Sequence, residues 1–478
     1  MRPTIFFCKI LLIIILTQKY NFGQTVWNLS RCIQHAQNNN LQINQNKLSQ
    51  ELANEKIAYT KKDLYPTLQF SLSPTLAMGR SLDPTTYQYA TNGFVNNVMG
   101  LTMSQVISAG GRKKNTYEQS IVEQQLAQLQ EKKGISAIAI QITQAYFQVL
   151  LNKIYVKNAE RQLNVSKEQL EIVNQAAKKS NDLAYNLLEW QAQVVNDEFN
   201  LTQKRNELKA AQIGLGTLLA LPDPLFIDVE EIKDNPIEVK KDAKGEYDLF
   251  FKLSSWHPNA KISQLNQKLA SLQFDAVKAS SLPTISLTAG VSLPYSSLFQ
   301  EVDKIRIIRN DTVPIFSGGQ LRLALSPAYD YTYKTTSLFS QWKQLASSFV
   351  GFQVSIPLIT GGLHKYQMKQ ASYTLATSQI ATQTAKTELY KEAIFTHSNL
   401  EAAILQKQAA NKNLEVWQKY YDSSMSRYQK GEIQAKEFET IKNSFFQVEQ
   451  NAIVAKYDLL MKKKIYQYYA TGDLSVLN

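Results

Sequence analysis

The residues best suited to chemistry in this 478-residue chain are scattered rather than clustered. Its four histidines, His35, His257, His364 and His397, lie too far apart in sequence to show the spacing at which imidazoles share a metal. Gly110-Gly111-Arg112-Lys113-Lys114 has the glycines and cations of a phosphate loop but lacks its Gly-Lys-Ser/Thr ending, so a strand-to-helix turn is expected there. Cys8 lies in the N-terminal apolar segment and Cys32 is the other cysteine, so no intrachain disulfide is expected once that segment is removed. No metal, cofactor or catalytic set is expected, and the chain is not read as an enzyme. The charged groups that do gather sit at two breaks in otherwise helical sequence. Asp182 closes Lys178-Lys179-Ser180-Asn181-Asp182, and Arg427, Tyr428, Lys430, Gly431, Glu432 and Glu437 surround the second break. Solvated turn residues would have this composition too.

What positions these groups is a chain with a 44% hydrophobic and 19% charged composition, which excludes a disordered polymer. Arg2 and Lys9 flank an apolar core, Ile10 to Leu16, followed by Gly23-Gln24; residues 1–23 are read as a secretory signal peptide. Cys8 lacks the small-residue context of a lipid-anchored start, and no lipid anchor is expected. No later uninterrupted apolar run reaches ~18 residues, so membrane contact is assigned to strands instead of helices. The net charge of +12 falls to +9 when Arg2, Lys9 and Lys19 leave. The remaining cations alternate with Glu and Gln along helices, which argues against a nucleic-acid groove.

Proline is absent between Pro84 and Pro222 and after Pro357, and glycine is sparse there. Two such stretches, each over ~100 residues, far exceed the usual ~11-residue helix. Turn-forming residues are instead concentrated at 65–111, 222–258 and 283–362. The pattern repeats. Leu64-Tyr65-Pro66-Thr67-Leu68 matches Ser281-Leu282-Pro283-Thr284-Ile285 at an offset of 217, and Gly100, Ser104 and Gly110-Gly111 match Gly351, Ser355 and Gly361-Gly362 at 251. Leu183, Leu188 and Glu189 match Ile433, Phe438 and Glu439 at 250, so the second unit carries 34 extra residues between its strands.

The helical stretches carry heptad seams. Ile135, Ile138, Ile142, Ala145 and Val149 begin a 3-4 spacing that continues to Ala177, and Leu187, Val194, Leu201, Leu208 and Leu215 recur every seven residues. The turn-rich blocks instead alternate with period two. Leu68, Phe70 and Leu72 alternate with polar residues, as do Ile285, Leu287 and Val291, and Phe352, Val354 and Ile356; Leu101 and Met103 lie on a less regular strand with Gln105 on its apolar face. These residues are candidates for a lipid-facing surface, and an ordinary half-buried sheet fits the same alternation. Four strands cannot close a barrel, so a barrel requires an oligomer. The insertion at 294–351 carries Leu321, Leu323 and Leu325, then Tyr329, Tyr331 and Tyr333, at alternate positions. It either extends the strands or forms an external hairpin, and its tyrosines suit a membrane interface or loop packing equally.

This order of elements resembles the TolC family of outer-membrane efflux and secretion channels over essentially the whole mature chain. The resemblance is carried by Trp27-Asn28-Leu29-Ser30-Arg31-Cys32-Ile33, the Pro-Thr junctions at Pro66 and Pro283, and the Gly-Gly pairs 110–111 and 361–362. Tyr428-Gln429-Lys430-Gly431 followed by Glu437-Phe438-Glu439 adds to it. It implies a mainly α fold with a transmembrane β-barrel portion. Tandem coiled-coil helical hairpins and four strands per protomer would build a trimeric 12-stranded barrel and an α-helical periplasmic tunnel.

The expected layout is a first repeat at 24–221, with strands about 67–77 and 98–108 and a hairpin about 112–219. A linker at 222–256 follows, then a second repeat at 257–478, with strands about 284–293 and 351–360 and a hairpin about 363–469. The resemblance further implies an outer-membrane location extending into the periplasm, a homotrimer in lipid, and a periplasmic adaptor and inner-membrane pump as partners. Transport through it would be passive export of small molecules. A protein-secretion outlet is the alternative within transport, and a periplasmic coiled-coil adaptor the alternative outside it. The tip residues Asp182, Arg427, Tyr428, Lys430, Gly431, Glu432 and Glu437 then become candidates for aperture or adaptor contacts.

Overall fold

A computed structural model describes residues 26–91, 93–177, 184–224, 227–232 and 245–477. The signal peptide, Asp182 and much of the 222–256 linker therefore lie outside the described residues. The chain forms two compact units, one of residues 1–55, 122–269 and 375–478 and the other of 56–121 and 270–374. Each unit draws on both sequence repeats, so the repeats are not the compact bodies.

The helical unit opens with α1 (Leu29–Asn39) and the start of α2 (Leu41–Lys62). Asn28 caps α1, its side chain accepting from the Arg31 amide at 2.8 Å. Two long helices follow, α3 (Arg112–Ala177) and α4 (Ala184–Leu218), then α5 (Gly245–Trp256) and α6 (Pro258–Ala279). The second pair is α8 (Leu363–Gln429) and α9 (Ala435–Thr471). At 66 residues α3 runs ~100 Å at 1.5 Å per residue. An 18-residue stretch of α3 has a mean hydropathy of 1.4, long and apolar enough to cross a membrane. Part of it is core, since 39% of the stretch is buried: Ile142, Phe147, Val149 and Leu150 are at most 1% exposed, in a cluster with Leu29, Ile33, Leu215 and Tyr457. The linker end also joins this core, because Val26–Trp27 pairs in parallel with Asp228–Val229 and the Tyr146 hydroxyl donates to the Glu230 carbonyl at 2.6 Å.

The second unit is built on an antiparallel sheet. Its strands are β1 (Thr67–Ala77), β2 (Phe94–Ala109), β3 (Thr284–Ser296) and β6 (Ser347–Ser355), in the order β6-β3-β2-β1. Between β3 and β6 lie a two-stranded hairpin, β4 (Gln300–Ser317) and β5 (Gln320–Thr335), and a short helix α7 (Leu338–Leu345). The insertion is thus an external hairpin, turned by Gly318-Gly319 with φ of +62° and +78°, the pair of positive angles a two-residue turn demands. Three strands differ in extent from expectation. β3 runs three residues further than 293, to Ser296. β2 starts four residues earlier, and β6 spans 347–355 in place of 351–360, ending before Pro357, which has no amide hydrogen for the ladder. Ile356 accordingly lies just beyond β6, in a segment without strand pairing, and is not a strand residue.

Candidate aperture and membrane surfaces

The turn between α8 and α9 is built by local backbone chemistry. The Gly431 amide donates to the Tyr428 carbonyl at 2.9 Å, and the Glu432 amide reaches back to the Arg427 carbonyl at 2.9 Å. This double closure ends a helix through a left-handed residue, and Gly431 supplies it with φ of +77°. Arg427 and Glu432, both about half exposed, face each other across the turn at 3.5 Å. An ion pair so solvated contributes at most ~0.5 kcal/mol. Lys430 and Glu437 are exposed. Glu437 sits in the first turn of α9, where the helix dipole favours a carboxylate.

Tyr428 has a different setting. Its ring lies parallel to Phe438, centroids 4.7 Å apart and planes 4° apart. Tyr421 stacks on Phe445 at 4.6 Å. Tyr421, Tyr428 and Phe438 join Val173 of α3, Trp190 of α4 and Ile433 and Ile441 in one apolar cluster, so both hairpins meet through aromatic packing. Burial raises the Tyr428 phenol above its ordinary pKa, so its hydroxyl stays protonated at neutral pH.

Sequence reasoning missed a buried polar knot next to this cluster. Lys442 of α9 is fully buried, as is Ser166 of α3, and Asp197 of α4 is 3% exposed. The Lys442 ammonium donates to Ser166 Oγ at 2.7 Å, and that hydroxyl donates to the Asp197 carboxylate. Direct Lys442–Asp197 contact is 3.9 Å, so Ser166 bridges the pair. Gln162 and Gln193 donate to the other carboxylate oxygen at 3.0 and 2.9 Å. The Lys442 ammonium also lies 5.2 Å from the centre of the Trp190 ring. Burial lowers the Lys442 pKa and raises that of nearby Glu439, whose other neighbours Asp197 and Glu189 push the same way. Lys442 falls four residues after Phe438, a helical spacing that places the two on one face without revealing what charge meets it.

In the sheet, register decides which side chains share a face. Leu68, Phe70 and Leu72 stand opposite Met103, Leu101 and Met99; Leu101 and Met103 stand opposite Val291 and Ala289. Leu287 and Ile285 stand opposite Phe352 and Val354. Opposed residues of an antiparallel pair point the same way, so these side chains form one continuous apolar surface across all four strands. Leu68, Phe70, Phe352 and Val354 are 58–71% exposed on it. Gln105 falls on this face opposite Leu287, and its amide donates to the Leu64 carbonyl at 3.3 Å. A bulge at Ile107 shifts the pairing toward the end of β2, so that Ser108 stands opposite Ile285. The opposite face carries Thr67, Gln69, Ser71, Thr102, Ser104, Ser286, Thr288 and Gln353, with no charged residue among these. Gly290 makes room there for the Phe349 ring, which a Cβ would meet at 2.8 Å.

The basic turn after β2 is not a phosphate cradle. Gly110 and Gly111 have φ of +60° and +87°, a Cβ on Gly110 would meet Leu282 at 2.6 Å, and Lys113 pairs with Asp63 at 3.2 Å. No group of three or more metal-ligating side chains converges among the described residues.

Comparison with known proteins agrees with this geometry. The profile of the outer membrane efflux protein family matches residues 32–221 and 257–463, one block per repeat. The probable outer membrane lipoprotein SilC of Salmonella typhimurium is 25% identical over 313 residues, covering 63% of this chain and 64% of its own length, so the match spans less than two thirds of that relative. Among solved structures, the CmeC outer membrane channel of Campylobacter jejuni superposes with a TM-score of 0.72 at 15% identity, covering 94% of this chain and 87% of its own. The outer membrane protein VceC of Vibrio cholerae gives 0.71 at 12% identity, with 93% and 96% covered. The MtrE outer membrane channel of Neisseria gonorrhoeae gives 0.69 at 16%, with 93% and 88% covered. With paired repeats, long helical hairpins and a four-stranded sheet apolar on one face, the chain belongs to the outer membrane efflux protein family.

Proposed function

We propose that this chain is the outer-membrane duct of a tripartite efflux assembly, through which small molecules leave passively while an inner-membrane pump, reached through a periplasmic adaptor, supplies the energy. The observation that carries this reading is the sheet: one face apolar and exposed, the other polar and uncharged, and the outer edges of β6 and β1 without a partner strand among the described residues. Unpaired edges and a greasy exterior are unfavourable in a lone chain. Three copies joined edge to edge supply twelve strands, put every edge in a ladder and turn the apolar face to lipid. CmeC and MtrE, named as outer membrane channels, are similar in fold over most of the chain, which supports this reading.

In the same reading, the α8–α9 turn lies at the periplasmic aperture. Arg427 and Glu432 there make a weak, exposed contact suited to repeated opening, while the stacked Tyr428 holds the tip of the hairpin in shape. The test is purification from outer membranes followed by reconstitution in planar bilayers. A detergent-stable trimer with ion conductance is expected; a soluble monomer without conductance overturns the proposal.

A further inference from the structure

The hairpin β4–β5 takes no part in the sheet, and its register sorts its side chains by chemistry. Ile305 stands opposite Tyr331, Ile307 opposite Tyr329, and Phe316 opposite Leu321. Leu323 and Leu325 continue that face and are 73% and 71% exposed. The other face carries charged cross-strand pairs, Glu301 with Lys334 and Arg306 with Asp330, interrupted by Val313 and Ile315. Two bulges, at Asp303 and Ile308, shift the parity of β4, so that Val302, Ile305, Ile307 and Phe316 share the face of Leu321 to Tyr333, with Asn310 and Thr312 between them. The arm is amphipathic by construction.

Its root is held firmly. The fully buried Gln341 of α7 donates to the carbonyls of Ser296 and Thr336 and accepts from the Ser296 amide, all at 2.9 Å. Asp83, also fully buried, accepts from the hydroxyl of Ser296 at 2.5 Å and that of Thr86 at 2.9 Å. Satisfied buried hydrogen bonds of this kind fix one geometry. The arm thus presents its apolar face in a set direction.

A lone two-stranded hairpin is marginal in water, and a permanent apolar face needs a permanent cover. Lipid covers only part of it: from Leu321 to Tyr333 the face runs ~40 Å at ~3.3 Å per residue, ~30 Å of height even at the ~40° tilt of barrel strands, against the ~25 Å apolar band of an outer-membrane barrel. Addition of a strand along the arm's edge is opposed by Pro314 and Pro327, one in each strand, which lack amide hydrogens. A neighbouring copy meets each requirement. The arm is rooted between β3 and β6 in the chain, and β6 is a free edge at which, in the trimeric reading, the next copy joins. We infer that the apolar faces of β4–β5 pack against those of neighbouring copies of this chain, tying the trimer together beyond its barrel.

This inference rests on the trimeric reading, and one experiment separates the two. Leu323→Cys on the apolar face and Ser326→Cys on the charged face are made singly in the full chain. Each is treated in outer membranes with a short bismaleimide, while native mass is measured on the same preparations. Leu323→Cys is expected to give covalent dimers and trimers of the chain, with at least a fivefold lower yield from Ser326→Cys. A trimeric preparation in which Leu323→Cys is labelled but stays unlinked, or links only to another protein, overturns the arm inference alone. A preparation that is not trimeric overturns both.

Discussion

Gly431 holds a backbone angle of +77° that closes two hydrogen bonds around the α8–α9 turn. Gly431→Ala should cost ~1 kcal/mol there, because an L side chain is strained in that region. Faster hydrogen exchange at the Gly431 and Glu432 amides would register the loss, whereas unchanged protection would mean that the turn is held by other contacts. Tyr428→Ala combined with Arg427→Ala removes both a stacked ring and the exposed ion pair, and single-channel conductance should rise if these groups hold the aperture narrow. Unchanged conductance would reject that role. Cys32 is completely buried, and burial pushes its thiol up to about 12. It should therefore resist maleimide in the folded chain and react on denaturation; prompt labelling would contradict its place in the core. This inertness also gives the arm crosslinking a silent background.

Among elements, the sheet and the Lys442 knot make opposite uses of charge. Leu287 lies on the apolar face between Phe352 and Gln105. Leu287→Arg should cost ~2–4 kcal/mol if that face meets lipid and should reduce the amount of assembled protein in outer membranes. Normal assembly would instead support a face covered by something more polar. In the knot, Lys442→Met leaves the Asp197 carboxylate buried without its cation and should destabilise by ~3–5 kcal/mol. Lys442→Met with Asp197→Leu removes both charges and should recover most of the loss. Thermal unfolding in detergent compares them, and a double variant as weak as the single one would show that the pair itself is indispensable. Glu439 adds a pH term. Its folded pKa is raised above the ordinary 4.5, so the stability it contributes is present below 4.5 and lost as pH rises through the raised value. Glu439→Gln should flatten the decline of the unfolding midpoint across that interval.

For the whole molecule, the sequence by itself determined the period of each segment. Heptads over residues 135–177, strict alternation at 67–73 and 284–293, and the duplicated Pro-Thr and Gly-Gly junctions mark helices, strands and their tandem order without reference to distant contacts. Periodicity and turn chemistry are local, and the short-range sterics that produce them act within a few residues. The apolar face was likewise legible, since period two places Leu68, Phe70 and Leu72 together in any register.

Only the tertiary structure decided what those faces and seams meet. Nothing local marks Lys442 until Ser166, 276 residues away, and Asp197 close over it. Ile356 continues the alternation of β6, yet no partner strand extends that far and Pro357 cannot donate. The two bulges of the β4–β5 arm break sequence parity, so a count of alternate residues assigns part of β4 to the wrong face. Pairing register, burial and charge compensation are set by residues far apart in the chain. Local sequence specifies each element's own shape but carries no record of the partner that will stand opposite it.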